Sequence, residues 1–211
     1  MKTNDLIEII AQDLHPRLPF GTMLRQTALI GVSIAALAFF AFIGFRADIG
    51  SALQTGRFLF KFVVTLALVV SAWLLFKRVG RPGVPLTQVY WILLLPLALL
   101  GVGAIAEVSN LPSDAWMSSA VGTNAGDCLF IIPLLSIGPL ACLLYGLRQG
   151  AAENAGKAGF VAGLLAAGMA ATFYAANCDD DSPLFVLTWY PLATAIVGSM
   201  GYFAGRAVLR W

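Results

Sequence analysis

The chain has 211 residues, of which 59% are hydrophobic and 11% are charged, and its formal net charge at pH 7 is +2. A soluble domain is about 45–50% apolar and about 25% charged, so this composition predicts an integral membrane protein. The small net charge argues against direct contact with nucleic acid. Three cysteines and one histidine, His15, are too few for a disulfide-rich scaffold or a histidine-based metal centre, and no cofactor is expected.

The first 24 residues precede any long apolar run and include a short stretch with helical periodicity. In MKTNDLIEIIAQDLHPRLPF, Thr3 or Asn4 can cap a helix, and Pro16 ends it after about ten residues. One side of this helix is apolar, whereas its acids lie elsewhere on the helical wheel. The apolar residues are Leu6, Ile9, Ile10 and Leu14, and the acids are Asp5, Glu8 and Asp13.

Such a short amphipathic helix is marginal in water on its own, so its apolar side requires a partner. The membrane surface is disfavoured because helices that lie on it usually carry a basic polar face. A groove on a cytoplasmic protein and the chain's own inner loops are the remaining partners. We therefore predict a cytoplasmic amphipathic segment over residues 1–24, followed by a transmembrane domain over residues 25–211.

Six nearly uncharged runs follow, and each has about the 20 residues that a helix needs to cross a bilayer. They cover residues 24–45, 58–76, 86–105, 128–147, 158–177 and 183–205. Several contain proline, which membrane helices tolerate as kinks because neighbouring groups satisfy the freed carbonyls. The predicted fold is an all-α bundle of six transmembrane helices.

The distribution of lysine and arginine predicts the orientation of this bundle. With the N-terminus inside the cell, ten of the 13 basic residues fall on the inner side and three, Arg46, Arg57 and Lys61, on the outer side. Because cytoplasmic loops carry the excess of positive charge, we expect both termini to be cytoplasmic in a bacterial inner membrane. The run Asp179–Asp181 then lies outside, with no basic residue near it in the sequence.

Two cysteines lie at the same predicted depth at the outer surface. Cys128 begins the fourth span and Cys178 ends the fifth, whereas Cys142 lies 14 residues along the fourth helix, about 21 Å deeper. An oxidising exterior permits a structural disulfide or a redox switch between the outer pair. A soft-metal site with the neighbouring carboxylates and two unpaired thiols are the other interpretations. Asp179, Asp180 and Asp181 are either topology and capping residues or contacts for a cation.

Small residues recur every fourth position along the fifth span, and two glycines are four apart in the sixth. Such stripes let helices approach closely in lipid. We interpret them as tight packing within the chain, with a homodimer face as the lesser option. The stripe consists of Ala155, Gly159, Gly163, Ala167, Ala171 and Ala175, and the two glycines are Gly201 and Gly205.

The motifs of the common enzyme classes are missing from the sequence. No glycine-rich phosphate loop, Ser/His/Asp set or CxxC pair is present. Transporters usually carry ionisable groups within the bilayer, but Lys61 is the only charge well inside a span, and we expect it to snorkel to the nearby surface. The chain is therefore not expected to be an enzyme. We expect a binding regulator instead. The alternatives are a membrane thiol-disulfide oxidoreductase and a small transport or structural subunit.

Several segments match one known family. These are CLFIIPLLSIGPLACLLYGLRQGA from Cys128, AGFVAGLLAAGMAATFYAANCDDDSPLFVLTWY, the closing GRAVLRW, and MKTNDLI with DLHP at the N-terminus. Together they resemble the NrsF family of six-span bacterial inner-membrane anti-sigma factors. The similarity covers the whole chain and is most specific from Cys128 onwards.

The resemblance implies a function. It implies that the chain holds an extracytoplasmic-function sigma factor at the cytoplasmic face and releases it under oxidative or heavy-metal stress. Cys128 and Cys178 would be the sensing residues. Asn177 departs from the family pattern, in which a histidine is expected, and this favours redox sensing over metal sensing. The N-terminal segment would bind the sigma factor through Asp5, Leu6, Ile9, Ile10, Asp13 and Leu14.

Overall fold

The computed structural model describes residues 19–84 and 90–209. Six segments of this part are long and apolar enough to cross a membrane, which confirms the predicted all-α fold with six spans. The helices are α1 (Phe20–Phe42), α2 (Ile49–Ala52), α3 (Gly56–Val79), α4 (Leu94–Val108), α5 (Trp116–Val121), α6 (Ala125–Leu147), α7 (Ala155–Ala175) and α8 (Pro183–Val208). Short 3₁₀ turns, Trp91–Leu93 and Ser113–Ala115, precede α4 and α5.

Local sequence signals explain where several of these helices begin. The side chains of Thr55 and Asn154 accept hydrogen bonds from backbone N–H groups in the first turns of α3 and α7. Ser182 does the same for α8, and Pro183 occupies the first position of that helix, as predicted. Pro133 and Pro139 lie inside α6, which remains one helix. Pro191 likewise lies inside α8.

The fifth span, α7, forms the centre of the bundle. Of its most apolar 18-residue window, 83% is buried within the protein, whereas the windows of the other spans are 22–44% buried. Helices α8, α3, α6 and α1 all pack against α7. A helix surrounded by other helices makes little contact with lipid, which explains why α7 is built from small residues.

The glycines of α7 and α8 face each other at very short range. A side chain on Gly159 would collide with the carbonyl oxygen of Gly201, and one on Gly163 would lie 2.6 Å from the carbonyl oxygen of Val197. A side chain on Gly205 would lie 2.5 Å from the carbonyl oxygen of Ala155. The small-residue stripe is thus used for packing inside the chain. Because α8 covers it, this stripe offers no face for a second copy.

The two ends of the bundle differ in chemistry. We call one the cysteine end; it contains α2, α5 and the turn 178–182 between α7 and α8, named here the acidic turn. The opposite end carries the first residues of α1 and the last of α3, where Gly80 contacts Phe20. It also carries most of the basic side chains of the described residues, including Lys77, Arg78 and Arg148.

Candidate functional site at the cysteine end

Cys128 and Cys178 belong to one buried cluster beneath the acidic turn. Cys128 lies in the first turn of α6 and is 0% exposed, and Cys178 follows α7 and is 1% exposed. Both are free thiols, so the structure contains the reduced pair. Cys142 is also free and lies deeper in α6, as predicted. The structure thus brings together the two cysteines that the sequence predicts at one depth, at the ends of the neighbouring helices α6 and α7.

A buried cation binds the backbone of Cys178. The Nζ of Lys61 donates a hydrogen bond of 2.7 Å to the carbonyl oxygen of Cys178 and lies 2.6 Å from Oδ1 of Asp181. The expectation that Lys61 snorkels to the surface is wrong, because its side chain is 0% exposed. Burial of a lysine is costly unless an acid pairs with it, and Asp181 supplies that acid.

A second cation reaches the same turn from the loop after α1. Arg46 lies 3.0 Å from Oδ2 of Asp181, donates to the carbonyl oxygen of Cys178 at 3.3 Å, and binds Asp48 at its other edge. The hydrogen bonds that Arg46 donates to Asp48 and Asp181 raise the pKa of Arg46. The charge of Asp181 is therefore compensated by Lys61 and Arg46, which lie far from it in the sequence.

Asp180 binds the turn that leads into α6. Its Oδ2 accepts hydrogen bonds from the backbone N–H groups of Thr123 and Asn124 at 2.9 and 2.8 Å. The Asn124 side chain also donates to Asp180 and to Asp179. Burial alone would raise the pKa of Asp180, but these hydrogen bonds outweigh it and lower the pKa. Asp180 thus fastens the acidic turn to the N-terminus of the helix that carries Cys128.

Gly122 is required for this contact between Asp180 and the turn. Its φ of +58° and ψ of −164° form a backbone conformation that residues with a side chain rarely adopt. A side chain here would also lie 2.7 Å from Oδ2 of Asp180 and 2.5 Å from the ring of Phe185. The glycine therefore lets Asp180 approach the backbone amides.

Glu107 supplies a buried acid from the end of α4. Its Oε2 accepts hydrogen bonds from the Ser182 hydroxyl at 2.7 Å and the Leu184 amide at 2.9 Å. Its Oε1 lies 3.4 Å from the guanidinium of Arg57, which is 58% exposed. A carboxylate at the N-terminus of α8 is favourable because it satisfies free amides and faces the positive end of the helix. Glu107 thereby fixes the acidic turn from a third helix.

Two tyrosines complete the surroundings of the thiols. The Tyr174 and Tyr190 rings lie 6.4 Å apart in the same buried cluster as the cysteines. Within the described residues, the hydroxyl of Tyr190 is buried without a hydrogen-bond partner. Burial raises the pKa of the Cys178 thiol, whereas the charge of Lys61 opposes that shift. At neutral pH the thiol form is therefore favoured, which suits a slow sensor better than a catalytic nucleophile.

The predicted soft-metal site has no support in this geometry. No group of three or more His, Cys, Asp or Glu side chains within residues 19–84 and 90–209 is arranged to hold a metal ion. The carboxylates of Asp180 and Asp181 are instead occupied by the protein's own donors. The predicted sigma-factor contacts, Asp5, Leu6, Ile9, Ile10, Asp13 and Leu14, lie outside the described residues.

Sequence reasoning missed the residues that hold the acidic turn. Arg46 lies in the loop after α1, Lys61 in α3 and Glu107 in α4, and nothing in their local sequence indicates a common partner. Glu107 fell beyond the third predicted span. The charge of Lys61 inside a span was the one available signal, because an intramembrane charge usually has a partner.

Comparison with known proteins gives one consistent result. The family described as NrsF, negative regulator of sigma F, matches residues 10–211. The chain is 30% identical over 216 aligned positions to the anti-sigma-F factor NrsF of Caulobacter vibrioides, covering 100% of both chains. A probable anti-sigma-F factor NrsF of Azospira oryzae is 30% identical with the same coverage. No solved structure matches the chain.

Proposed function

Because the chain belongs to the NrsF family of negative regulators of sigma F, we propose that it sequesters an extracytoplasmic-function sigma factor at the cytoplasmic face. The full-length match to an anti-sigma factor is the observation that carries this proposal. The family is a class of regulators and not of enzymes, and the reduced thiols of Cys128 and Cys178 have no CxxC partner in the sequence. Catalysis is accordingly not part of the proposal.

The proposed topology places both termini in the cytoplasm of a bacterial inner membrane. The excess of lysine and arginine on the side of the termini supports it, with ten basic residues against three. The cysteine end then faces the oxidising exterior, where thiols can form disulfides. The opposite end faces the compartment that contains the sigma factor.

Residues 1–24 are the proposed contact for the sigma factor. Asp5 and Asp13 would set the charge of the contact, and Leu6, Ile9, Ile10 and Leu14 would enter a groove on the partner. The test is affinity purification of the full chain in mild detergent, followed by mass spectrometry of the soluble proteins that remain bound. The variant carries Leu6→Asp, Ile9→Asp and Ile10→Asp, and Gln12→Asp is the control.

The outcomes of this experiment separate the partner from its contact. A sigma factor that binds the wild type and the control, but not the triple variant, supports both parts of the proposal. If the triple variant still binds the sigma factor, the anti-sigma function stands and the contact must lie in the inner loops instead. No sigma factor with any of the three proteins would contradict the anti-sigma function.

Cys128 and Cys178 are the proposed sensor. An external oxidant would remove two electrons and two protons from the pair to form a disulfide, or a soft heavy-metal ion would bind both sulfurs. Either reaction would move Cys178, whose carbonyl oxygen binds Lys61 in α3 and Arg46 after α1. Within the run Asp179 to Asp181, Asp180 and Asp181 already bind the protein's own donors, so an external cation is not part of the proposed sensing step.

Lys61 contacts the carbonyl oxygens of Cys178 and Asp180 and the carboxylate of Asp181. These contacts suggest how a change at the cysteines reaches the opposite end of the bundle. Helix α3 runs from the cysteine end to Lys77 and Arg78 at the opposite end. A shift of the acidic turn would therefore alter the position of α3, and with it the surface offered to the sigma factor. The test compares stress-induced transcription in C128S/C178S with that in C142S. Loss of induction only in the double variant supports the sensor; unchanged induction in both contradicts it.

A further inference from the structure

A groove at the opposite end of the bundle is not used by the proposed sensor. Helices α1 and α3 both contact α7, α3 far more extensively than α1, and residues of all three helices line one open space. The space between them has a volume of about 530 Å³, which is within the range of small-molecule sites. We name this space the basic groove; its walls are α1 and α3 and its floor is α7.

The mouth of the basic groove is positively charged. Arg25 from α1 and Lys77 from α3 line it, and both side chains are exposed. Arg81 also reaches this mouth, because a side chain on Gly21 would lie 3.6 Å from its Nη2. Across residues 19–84 and 90–209, no carboxylate lies within ion-pair distance of these three cations. Among the described residues, these three cations therefore have no competing acid.

The inside of the groove is apolar. Val32, Val69, Leu165 and Met169 line it on the side of Trp73 that faces away from Lys77. From Gly21 to Val32 the helix rises about 16 Å, which is about half the hydrocarbon thickness of a bilayer. Nζ of Lys77 lies 5.8 Å from the centroid of the Trp73 ring, and tryptophan is a residue enriched where membrane helices meet the headgroups. The groove therefore combines an anion site with a path of one leaflet's depth.

We propose that the basic groove binds one anionic phospholipid. Arg25, Lys77 and Arg81 bind the phosphate and its negative headgroup, and one acyl chain lies between α1 and α3 against α7. Basic pockets between membrane helices bind such headgroups because charge attraction and hydrocarbon burial act together. A soluble phosphate would use the cations but leave the apolar walls empty, so the membrane lipid is the occupant that fits both parts. This inference does not depend on sigma-factor binding.

The test is native mass spectrometry of the full chain after exchange into mixed micelles. The micelles contain equal amounts of phosphatidylglycerol and phosphatidylcholine with identical acyl chains. Because three cations each favour an anionic headgroup, the wild type is expected to retain phosphatidylglycerol over phosphatidylcholine by at least roughly tenfold. Equal retention of the two lipids by the wild type would overturn the proposal without any variant.

Two variants and one control locate the site. Arg25→Gln with Lys77→Gln, which keeps Arg81 alone of the three cations, is expected to lower the preference several-fold, whereas Arg148→Gln, which lies at the same end but does not line the groove, should keep it. Val32→Trp fills the groove without changing its charge and should lower retention of phosphatidylglycerol. A preference that survives both groove variants would overturn the proposal. Displacement of the lipid by an equal concentration of inorganic phosphate would also overturn it, because it would indicate a site for a small anion.

Discussion

Nζ of Lys61 lies 2.6 Å from Oδ1 of Asp181, and this ion pair fastens the second span to the turn that carries Cys178. Lys61 is fully buried, whereas the side chain of Asp181 is 20% exposed and is shared with Arg46. The pair is thus asymmetric: the acid has a second cation, whereas Asp181 is the one acid that Lys61 contacts within the described residues, beside two backbone carbonyls and the Phe58 ring.

This asymmetry predicts different costs for removing each partner. Lys61→Met leaves Asp181 paired with Arg46 and should lower the free energy of unfolding by about 2 kcal/mol. Asp181→Asn leaves a buried ammonium without an acid and should cost about 3–5 kcal/mol. The double variant should be more stable than Asp181→Asn alone. Thermal unfolding in detergent measures all three, and Arg57→Gln, at the exposed edge of Glu107, is a control expected to change little.

If Lys61→Met proved as harmful as Asp181→Asn, the second cation would not compensate for the first. The assignment of Arg46 as a shared partner of Asp181 would then be wrong. Equal stability of the double variant and the more harmful single variant would contradict the pairing itself.

Asp180 predicts a fall in stability in acid. Its folded-state pKa lies below that of an unfolded aspartate, about 3.9. The unfolded chain therefore binds more protons in this range, and the stabilisation is present above that value and is lost as the pH falls through the lower pKa. Between about pH 5 and about pH 3, the range in which these groups titrate, the melting temperature of Asp180→Asn should therefore fall less than that of the wild type. Parallel melting curves would contradict the prediction.

The burial of Cys178 predicts slow chemical labelling. The thiol is 1% exposed, and its raised pKa leaves little thiolate at neutral pH. In a C128S/C142S background, a water-soluble maleimide should modify Cys178 at least about tenfold more slowly than a cysteine introduced at exposed Ser113. The comparison variant also carries C178S, so that each protein has one thiol. Similar rates would show that the acidic turn opens readily.

Alanine substitutions at two glycines near the start of α6 should affect the free energy of unfolding differently. Gly122→Ala strains a backbone at φ +58° and places a methyl group against Asp180, and it should cost about 1–3 kcal/mol or more. Gly126 lies in the first turn of α6 with nothing within 4 Å of its missing side chain. Gly126→Ala should therefore be neutral or stabilising by up to about 1 kcal/mol. Thermal unfolding of both proteins checks the pair, and equal destabilisation would contradict it.

The sequence predicted the six spans because bilayer thickness imposes a length and hydropathy that can be counted. It also predicted the cap at Ser182 and the shared depth of Cys128 and Cys178, which follow from local order along the chain. The partners of the acidic turn could not be predicted from the sequence. Lys61, Arg46 and Glu107 meet Asp181 and Ser182 only through helix packing, and no periodicity records which helices become neighbours.

The burial of α7 also bears on how the chain enters the membrane. Most of this helix never meets lipid, and its mean hydropathy of 1.6 is below the 2.2–2.3 of the second, third and fourth spans. A helix of this kind gains little from hydrocarbon alone, so its insertion is favoured by α3 and α6, which leave the ribosome before it. Its glycine face is then left bare until α8 is synthesised. We expect a chain truncated before Pro183 to be inserted poorly and degraded, whereas a chain truncated within residues 1–18 keeps every helix that α7 requires.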